Sequence, residues 1–399
     1  MHQETGPALA AVLAILGILV APHIQPAWLL SLIVVLVSGV LLLIRGTKFV
    51  AVSIIVTAVL YGLGLLSLAV FASTLAIIVP GEYAFRVTGG GPRSYIPYVL
   101  TGGAGGLLAM YYVGVFSPLT VLIGVLVAVL LRAALTGRED ALMIEALGVA
   151  MAQQLFYEIG YDVEVGVLAA AAFIGLTFGY FAYHFKTADL SGLFSGAIIG
   201  LLLIVFADVR WFFIMLVFFI LGSAATKFKY REKDALGVAQ SHGGVRGYFN
   251  VFANGLVATA GAVLYGITGH EAFIALFLGS VASAAADTVA SEIGVMGGDP
   301  YLITTFERVP PGTNGGVTVL GEVVATGAAV VVSLSALLLG VVSLPLAVVG
   351  VVAGFIGTNV DSVVGATLEN RGVFGNAGTN LAATFAGGVA AFLLALLVV

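Results

Sequence analysis

The chain has 399 residues, 61% of them hydrophobic and only 9% charged, with a formal net charge of −5 and a mean hydropathy of +1.16. Soluble domains carry roughly 25% charged residues, so a water-exposed globule is excluded and an integral membrane protein is required. The acidic balance argues against a nucleic-acid partner, and the absence of cysteine excludes disulfides, thiolate metal sites and a cysteine nucleophile.

A bilayer-spanning helix needs about 17–25 predominantly apolar residues. On that basis fourteen spans are predicted, at 7–21, 27–44, 49–71, 96–116, 118–135, 141–157, 163–184, 190–206, 209–225, 249–268, 271–289, 319–340, 344–365 and 377–398. Residues 72–80 would lengthen the third. The runs are too long for spanning strands and lack alternation. The expected fold is therefore all-α, a polytopic transmembrane helical bundle of about 12–14 spans. The opening Met1-His-Gln-Glu-Thr-Gly6 has no basic flank and does not read as a cleaved secretory signal. Residues 1–140 are expected to form N-terminal helices of unassigned role, and 141–399 a transmembrane catalytic domain.

Charge bias gives an orientation. With 226–248 cytoplasmic, alternation of fourteen spans also places 81–95, 132–140, 185–189, 290–318 and 366–376 there. Those loops hold twelve of the fifteen basic residues, leaving Arg45, Lys48 and Arg210 on the other side and both termini outside. The expected location is the cell membrane, with a cytoplasmic active face.

Three polar stretches interrupt the later spans, at 226–255, 287–318 and 361–380. A two-helix hairpin separates each from the next, so all three return to one membrane face. An ionised acid at the bilayer centre costs about 2.5–3.5 kcal/mol or more, which makes Asp287, Glu292 and Asp361 candidate functional groups. On a continuous helix Asp287 and Ser291 share a face, whereas Glu292 is rotated about 140° from Asp287. Both carboxylates reach one ion only if the helix ends or bends, or if two helices share the ligands. Hard oxygen donors without His or Cys suit Mg²⁺ or Mn²⁺, with Asp361 as a further ligand or a catalytic base.

Gly312, Thr313, Asn314, Gly315 and Gly316 lead into a helix and offer backbone N–H groups to anionic oxygens, although the lysine of the usual phosphate loop is missing. Lys227, Lys229, Arg231, Lys233 and Arg246 could neutralise phosphate. Thr288, Ser291 and Ser362 add hydroxyls beside the acids. Asn250 with Asn254, and Asn376 with Asn380, are carboxamide pairs at i,i+4. Each has a plainer reading: basic residues beside spans set topology, asparagines join helices, and glycines make ordinary turns. His184, His242 and His270 show no metal-ligand spacing. Glu145, inside a span near Gln153 and Gln154, is left without a role.

Residues 226–399 resemble the integral-membrane phytyl-phosphate kinase family, which has long carried a domain-of-unknown-function label. The resemblance rests on Gly244-Val-Arg-Gly247, Asn250-Val-Phe-Ala-Asn-Gly255, Ala286-Asp-Thr-Val-Ala-Ser-Glu-Ile-Gly294, Gly312-Thr-Asn-Gly-Gly-Val-Thr318, Asp361-Ser-Val-Val-Gly-Ala-Thr367 and Asn376…Asn380, in that order. It implies phosphoryl transfer from CTP or another nucleoside triphosphate to an isoprenyl monophosphate such as phytyl or geranylgeranyl phosphate, giving the diphosphate. Expected partners are the lipid phosphate, the nucleotide and membrane lipids; an oligomeric state is not readable. The alternatives are an ion-coupled secondary transporter, which also shows glycine-broken helices and intramembrane acids, and a lipid cytidylyltransferase.

Overall fold

The computed structural model describes residues 5–235, 237–239 and 244–397. It is a membrane helical protein, as composition requires. Among the described residues, nine helices are long and apolar enough to cross a membrane, and four shorter apolar helices accompany them. The chain forms two compact units that divide between Leu168 and Ala169.

The first unit holds α1 (Thr5–Val20), α2 (Ala27–Leu41), α3 (Lys48–Gly62), α4 (Leu68–Val87), α5 (Tyr95–Tyr112), α6 (Pro118–Ala134) and α7 (Ala141–Ile159). The single span expected at 49–71 is thus two helices, and 72–80 is the middle of the second. The turn between them, Leu63-Gly-Leu-Leu-Ser67, is nearly as apolar as its flanks. Gly64 breaks the helix at φ +74°, and Ser67 caps α4 by accepting from the Val70 N–H at 3.2 Å.

The extra helix changes the parity of every loop before it. Within this unit, Arg45, Lys48, Arg86, Arg93, Arg132 and Arg138 now fall at one set of helix ends. The opposite turns, 21–26, 63–67, 113–117 and 160–164, contain no Lys or Arg. Arg45 and Lys48 no longer break the charge rule, and the start of α1 moves to the basic side.

The division falls later than the expected residue 140 because α7 packs on α3, α4 and α6. Its Glu145 accepts from the Tyr98 hydroxyl and pairs with Arg132 at 3.0 Å. Arg132 also pairs with Glu82 at 2.5 Å, and Glu82 with Arg86. Gln153 accepts from Thr74 at 2.9 Å and donates to Ser73 at 2.8 Å. Buried charge in apolar surroundings demands such partners, and here helices α4 to α7 supply them to one another.

The second unit holds most of α8 (Val165–His184), then α9 (Leu190–Phe206), α10 (Val209–Lys227), the short α11 (Tyr230–Ala235), α12 (Tyr248–Thr268), α13 (Ala272–Gly294), α14 (Val319–Leu338), α15 (Leu344–Val364) and α16 (Asn376–Ala395). A small antiparallel pair, β1 (Tyr301–Leu302) with β2 (Gly316–Val317), stiffens the loop between α13 and α14. Helix α13 is the axis of this unit, surrounded by α10, α12, α14, α15 and α16.

Small residues make that crowding possible, as helix contacts in lipid require. The Ser283 hydroxyl of α13 donates to the Ala353 carbonyl of α15 at 3.1 Å. A methyl added at Gly357 of α15 or at Gly387 of α16 would overlap that same hydroxyl oxygen. Three backbones therefore meet at one serine with no spare volume. Alternation within this unit puts the loops 185–189, 228–247, 295–318 and 365–375 on one side, together with all its basic residues except Arg210.

Candidate functional site

On that basic side the ends of α13 and α15 and the starts of α12, α14 and α16 enclose a cavity of about 490 Å³. All three polar stretches reach it. Its wall includes Arg246 and Asn250 from the first, Asp287, Ser291, Glu292 and Gly312 to Gly316 from the second, and Asp361, Ser362 and Asn376 from the third. Three helix starts at one cavity bring unsatisfied N–H groups and the positive end of each helix dipole to the same space.

Helix α13 does not end at Asp287; it continues to Gly294. The rotation between Asp287 and Glu292 therefore stands, and the two acids have different neighbours. Asp287 meets Asp361 of α15: their carboxyl groups lie within hydrogen-bonding reach of each other, with the Thr379 hydroxyl of α16 beside Asp361. Asp287 is buried, and the Asp361 Oδ1 atom is buried without a hydrogen-bond donor. Two adjacent carboxylates in a poorly solvated place repel unless a proton or a cation stands between them.

Glu292 turns the other way, into a buried ion pair with Lys233 of α11. Lys233 also donates to the Ala225 carbonyl at 3.1 Å and the Thr226 carbonyl at 2.9 Å, which uses its three N–H bonds. This corrects two expectations. Glu292 does not join Asp287 and Asp361 around one point, and among the described residues no group of three or more potential metal-ligating side chains forms. Lys233 is not a free phosphate-binding cation.

The other expected residues separate by depth. Lys227, Lys229 and Arg231 are exposed outside the cavity, and Lys229 pairs with Glu232 at 3.2 Å. Thr288 is buried facing α10, where only the missing side chain of Gly222 leaves room. Asn254 lies one turn below Asn250 and donates to its carbonyl at 2.9 Å. Asn380 is buried one turn into α16, off the cavity wall. His242 lies outside the described residues.

Arg246 is the cation that does face the cavity. Its guanidinium lies over the rings of Phe218 and Phe219, 5.6 and 5.3 Å from their centroids. Burial lowers it to about 10, opposed by the negative charge of Glu292, so it remains protonated at neutral pH.

The glycine loop is wedged against α15. Gly315 has φ +80°, and a Cβ there would meet the Ser362 carbonyl at 2.6 Å and the Ala366 Cβ at 2.5 Å. Asn314 stands on the cavity wall, and its carbonyl accepts from the Asn370 carboxamide at 3.4 Å, a second tie to the segment that follows α15. Within the loop the Thr313 and Gly316 N–H groups close turns on Pro310 and Thr313, at 3.2 and 2.9 Å, so these two are not free for an anion.

Sequence reasoning missed two acids on the wall, Glu322 and Glu369. Glu322 lies in the first turn of α14, four residues after the capping Thr318. Its spacing is one residue longer than the Thr-x-x-Glu of a capping box, so that motif did not point to it. Glu369 sits on a π-helical turn, Gly365–Glu369, that extends α15 and that no residue pattern announces.

The fold and site define a polytopic α-helical membrane protein with an acid-lined cavity on its basic side. The chain belongs to the family of integral membrane protein DUF92, matched over residues 173–390, which contains every cavity residue. This is the family its motifs indicate. It is 33% identical over 211 residues to an uncharacterized membrane protein of Methanocaldococcus jannaschii, covering 52% of this chain and 86% of that one. It is 35% identical over 174 residues to an uncharacterized membrane protein of Synechocystis, covering 42% and 67%. With Protein VTE6, chloroplastic, of Arabidopsis thaliana it shares 36% identity over 167 residues, covering 40% of this chain and 50% of that one. No solved structure matches.

Proposed function

We propose that the second unit is a membrane-embedded kinase that transfers a phosphoryl group from CTP, or another nucleoside triphosphate, to an isoprenyl monophosphate. The observation that carries this reading is the Asp287–Asp361 pair, the first buried and the second half-buried, facing a cavity of about 490 Å³. The motif resemblance supplies the reaction. Basic loops around the cavity favour a cytoplasmic opening, where nucleotide is available.

The residues fit a hard divalent ion. Asp287 and Asp361 are oxygen donors already side by side, and Asp361 Oδ1 lacks any donor of its own. Mg²⁺ is commonly held by one or two carboxylates with substrate phosphates completing the shell. When bound, such an ion would neutralise triphosphate charge and polarise the phosphoryl group being transferred.

The rest is positioning, which is most of what phosphoryl transfer asks of a protein. The loop 312–316 and the starts of α14 and α16 border the phosphates, and Arg246 offsets charge that five wall acids would otherwise repel. An acceptor phosphate oxygen forms the new bond to the γ-phosphorus as the bond to the β-bridging oxygen breaks. The nucleoside diphosphate leaves with that electron pair. Because the attacking phosphate is already ionised, no strong base is needed, consistent with a wall that holds no histidine among the described residues.

The test uses purified full-length chain, Mg²⁺, geranylgeranyl phosphate and CTP labelled at either end. Label passing from the γ-phosphate into lipid diphosphate is expected. Label passing from the α-phosphate would instead establish cytidylyl transfer, and no transfer from any nucleoside triphosphate would overturn the kinase reading.

A further inference from the structure

Arg246 and Asn250 line a second cavity as well, an apolar cleft of about 60 Å³ between α8, α9, α10 and α12. Phe178, Phe212 and Phe219 form one wall, Gly196 and Ile199 part of the other. Its polar end carries an unpaired charge. Arg246 is only 8% exposed, and among the described residues it makes no ion pair. A buried cation without an ion-pair partner is costly; Glu292 is near enough to act on it but is already paired with Lys233, so Arg246 keeps the capacity to bind an anion.

The group attached to that anion must be apolar and compact. At about 60 Å³ the cleft is much smaller than the 490 Å³ cavity beside it, so it suits a short branched apolar segment such as one isoprene unit. A diacyl phospholipid does not offer one there, because its phosphate is joined to a polar, doubly substituted glycerol.

We propose that this cleft is the head-proximal subsite for the acceptor. Arg246 holds the monophosphate where the two cavities meet, and the first isoprene unit enters between Gly196 and the aromatic wall. The remainder of the chain lies along apolar helix surfaces. This rests on the isoprenyl phosphate reading of the larger cavity and adds which part of the acceptor is recognised, and by which residues.

Gly196 makes the proposal testable, because a Cβ built there meets nothing within 4 Å. A larger side chain would fill the cleft rather than collide with its surroundings. Equilibrium binding of radiolabelled geranylgeranyl phosphate to the detergent-solubilised full chain, without nucleotide, is the measurement. Dimethylallyl phosphate should displace the label, whereas phosphatidic acid and inorganic phosphate at equal concentration should not. Gly196→Leu should weaken binding of both prenyl phosphates by about tenfold or more and leave Mg²⁺–CTP binding and thermal stability unchanged. Gly196→Val reads the same outcome if the leucine variant does not fold.

Unchanged prenyl phosphate binding in the folded variant would overturn the subsite, as would equal displacement by phosphatidic acid or phosphate. Because binding is read without turnover, the two readings fail separately. A wild-type chain that binds but never transfers γ-phosphate loses the kinase assignment alone. One that transfers it while Gly196→Leu binds normally loses the subsite alone.

Discussion

Both units bury charge among apolar helices, and they dispose of it in opposite ways. In the first unit Glu82, Arg132 and Glu145 neutralise one another, with Tyr98 and Arg86 completing the set. In the second, Asp287 faces Asp361, like against like, and Arg246 makes no ion pair among the described residues, around open space. Partners that cancel hold helices together. Charges left uncancelled store an affinity for whatever cancels them, and stability is given up for it.

The largest effect that would sharpen this contrast is on turnover. Asp287→Asn or Asp361→Asn should lower phosphoryl transfer about a hundredfold to a thousandfold, the scale of a lost electrostatic contact at a reacting centre. Their thermal stability should hold or rise, since like-charge repulsion is relieved. A variant that both melts early and keeps its turnover per folded molecule would break the comparison.

In the first unit the pattern should reverse. Glu145→Gln keeps the shape but leaves Arg132 with one carboxylate partner. A cost of about 2–3 kcal/mol is expected, somewhat below the 3–5 kcal/mol for breaking a buried ion pair outright. Unfolding in denaturant would show it, with turnover per folded molecule unchanged.

Gly315→Ala tests whether the glycine loop must lie against α15. The backbone at φ +80° and the short contacts to Ser362 and Ala366 make a methyl cost about 1–3 kcal/mol of strain, relieved by moving the loop. The KM for nucleotide should rise several-fold while that for lipid phosphate stays constant. Smallest of all, replacing Lys227, Lys229 and Arg231 together by Gln should change turnover less than about twofold, because exposed charges outside the cavity are screened. A loss of tenfold in that triple variant would restore them to the nucleotide site.

The sequence made the membrane, the helices and the gathering of three polar stretches legible, because hydrophobic length and hairpin parity need only local counting. It concealed the break between α3 and α4, since Leu63, Leu65 and Leu66 carry no polar signal and only Gly64 and Ser67 mark the turn. At the site, Asp287 and Asp361 stood out as acids in apolar runs. Their pairing depends on how α13 and α15 cross, which no spacing along the chain encodes. Glu292 looked equivalent to Asp287, and its partner Lys233 looked like one of several equivalent cations. Only the position of α11 tells them apart. The neighbouring uses of Arg246 could not be read at all, because the cleft beside it is made by glycines and aromatics on four different helices.

The crossing at Ser283 has a bearing on ion choice. It lies one turn before Asp287 on α13, and Gly357 lies one turn before Asp361 on α15. With no slack between those backbones, the gap separating the two carboxyl groups cannot easily widen. Ca²⁺ needs longer oxygen distances and a roomier, more pliant shell than Mg²⁺. If Asp287 and Asp361 hold the divalent ion proposed above, the tight crossing would favour the smaller ion, with one serine and two glycines setting the limit.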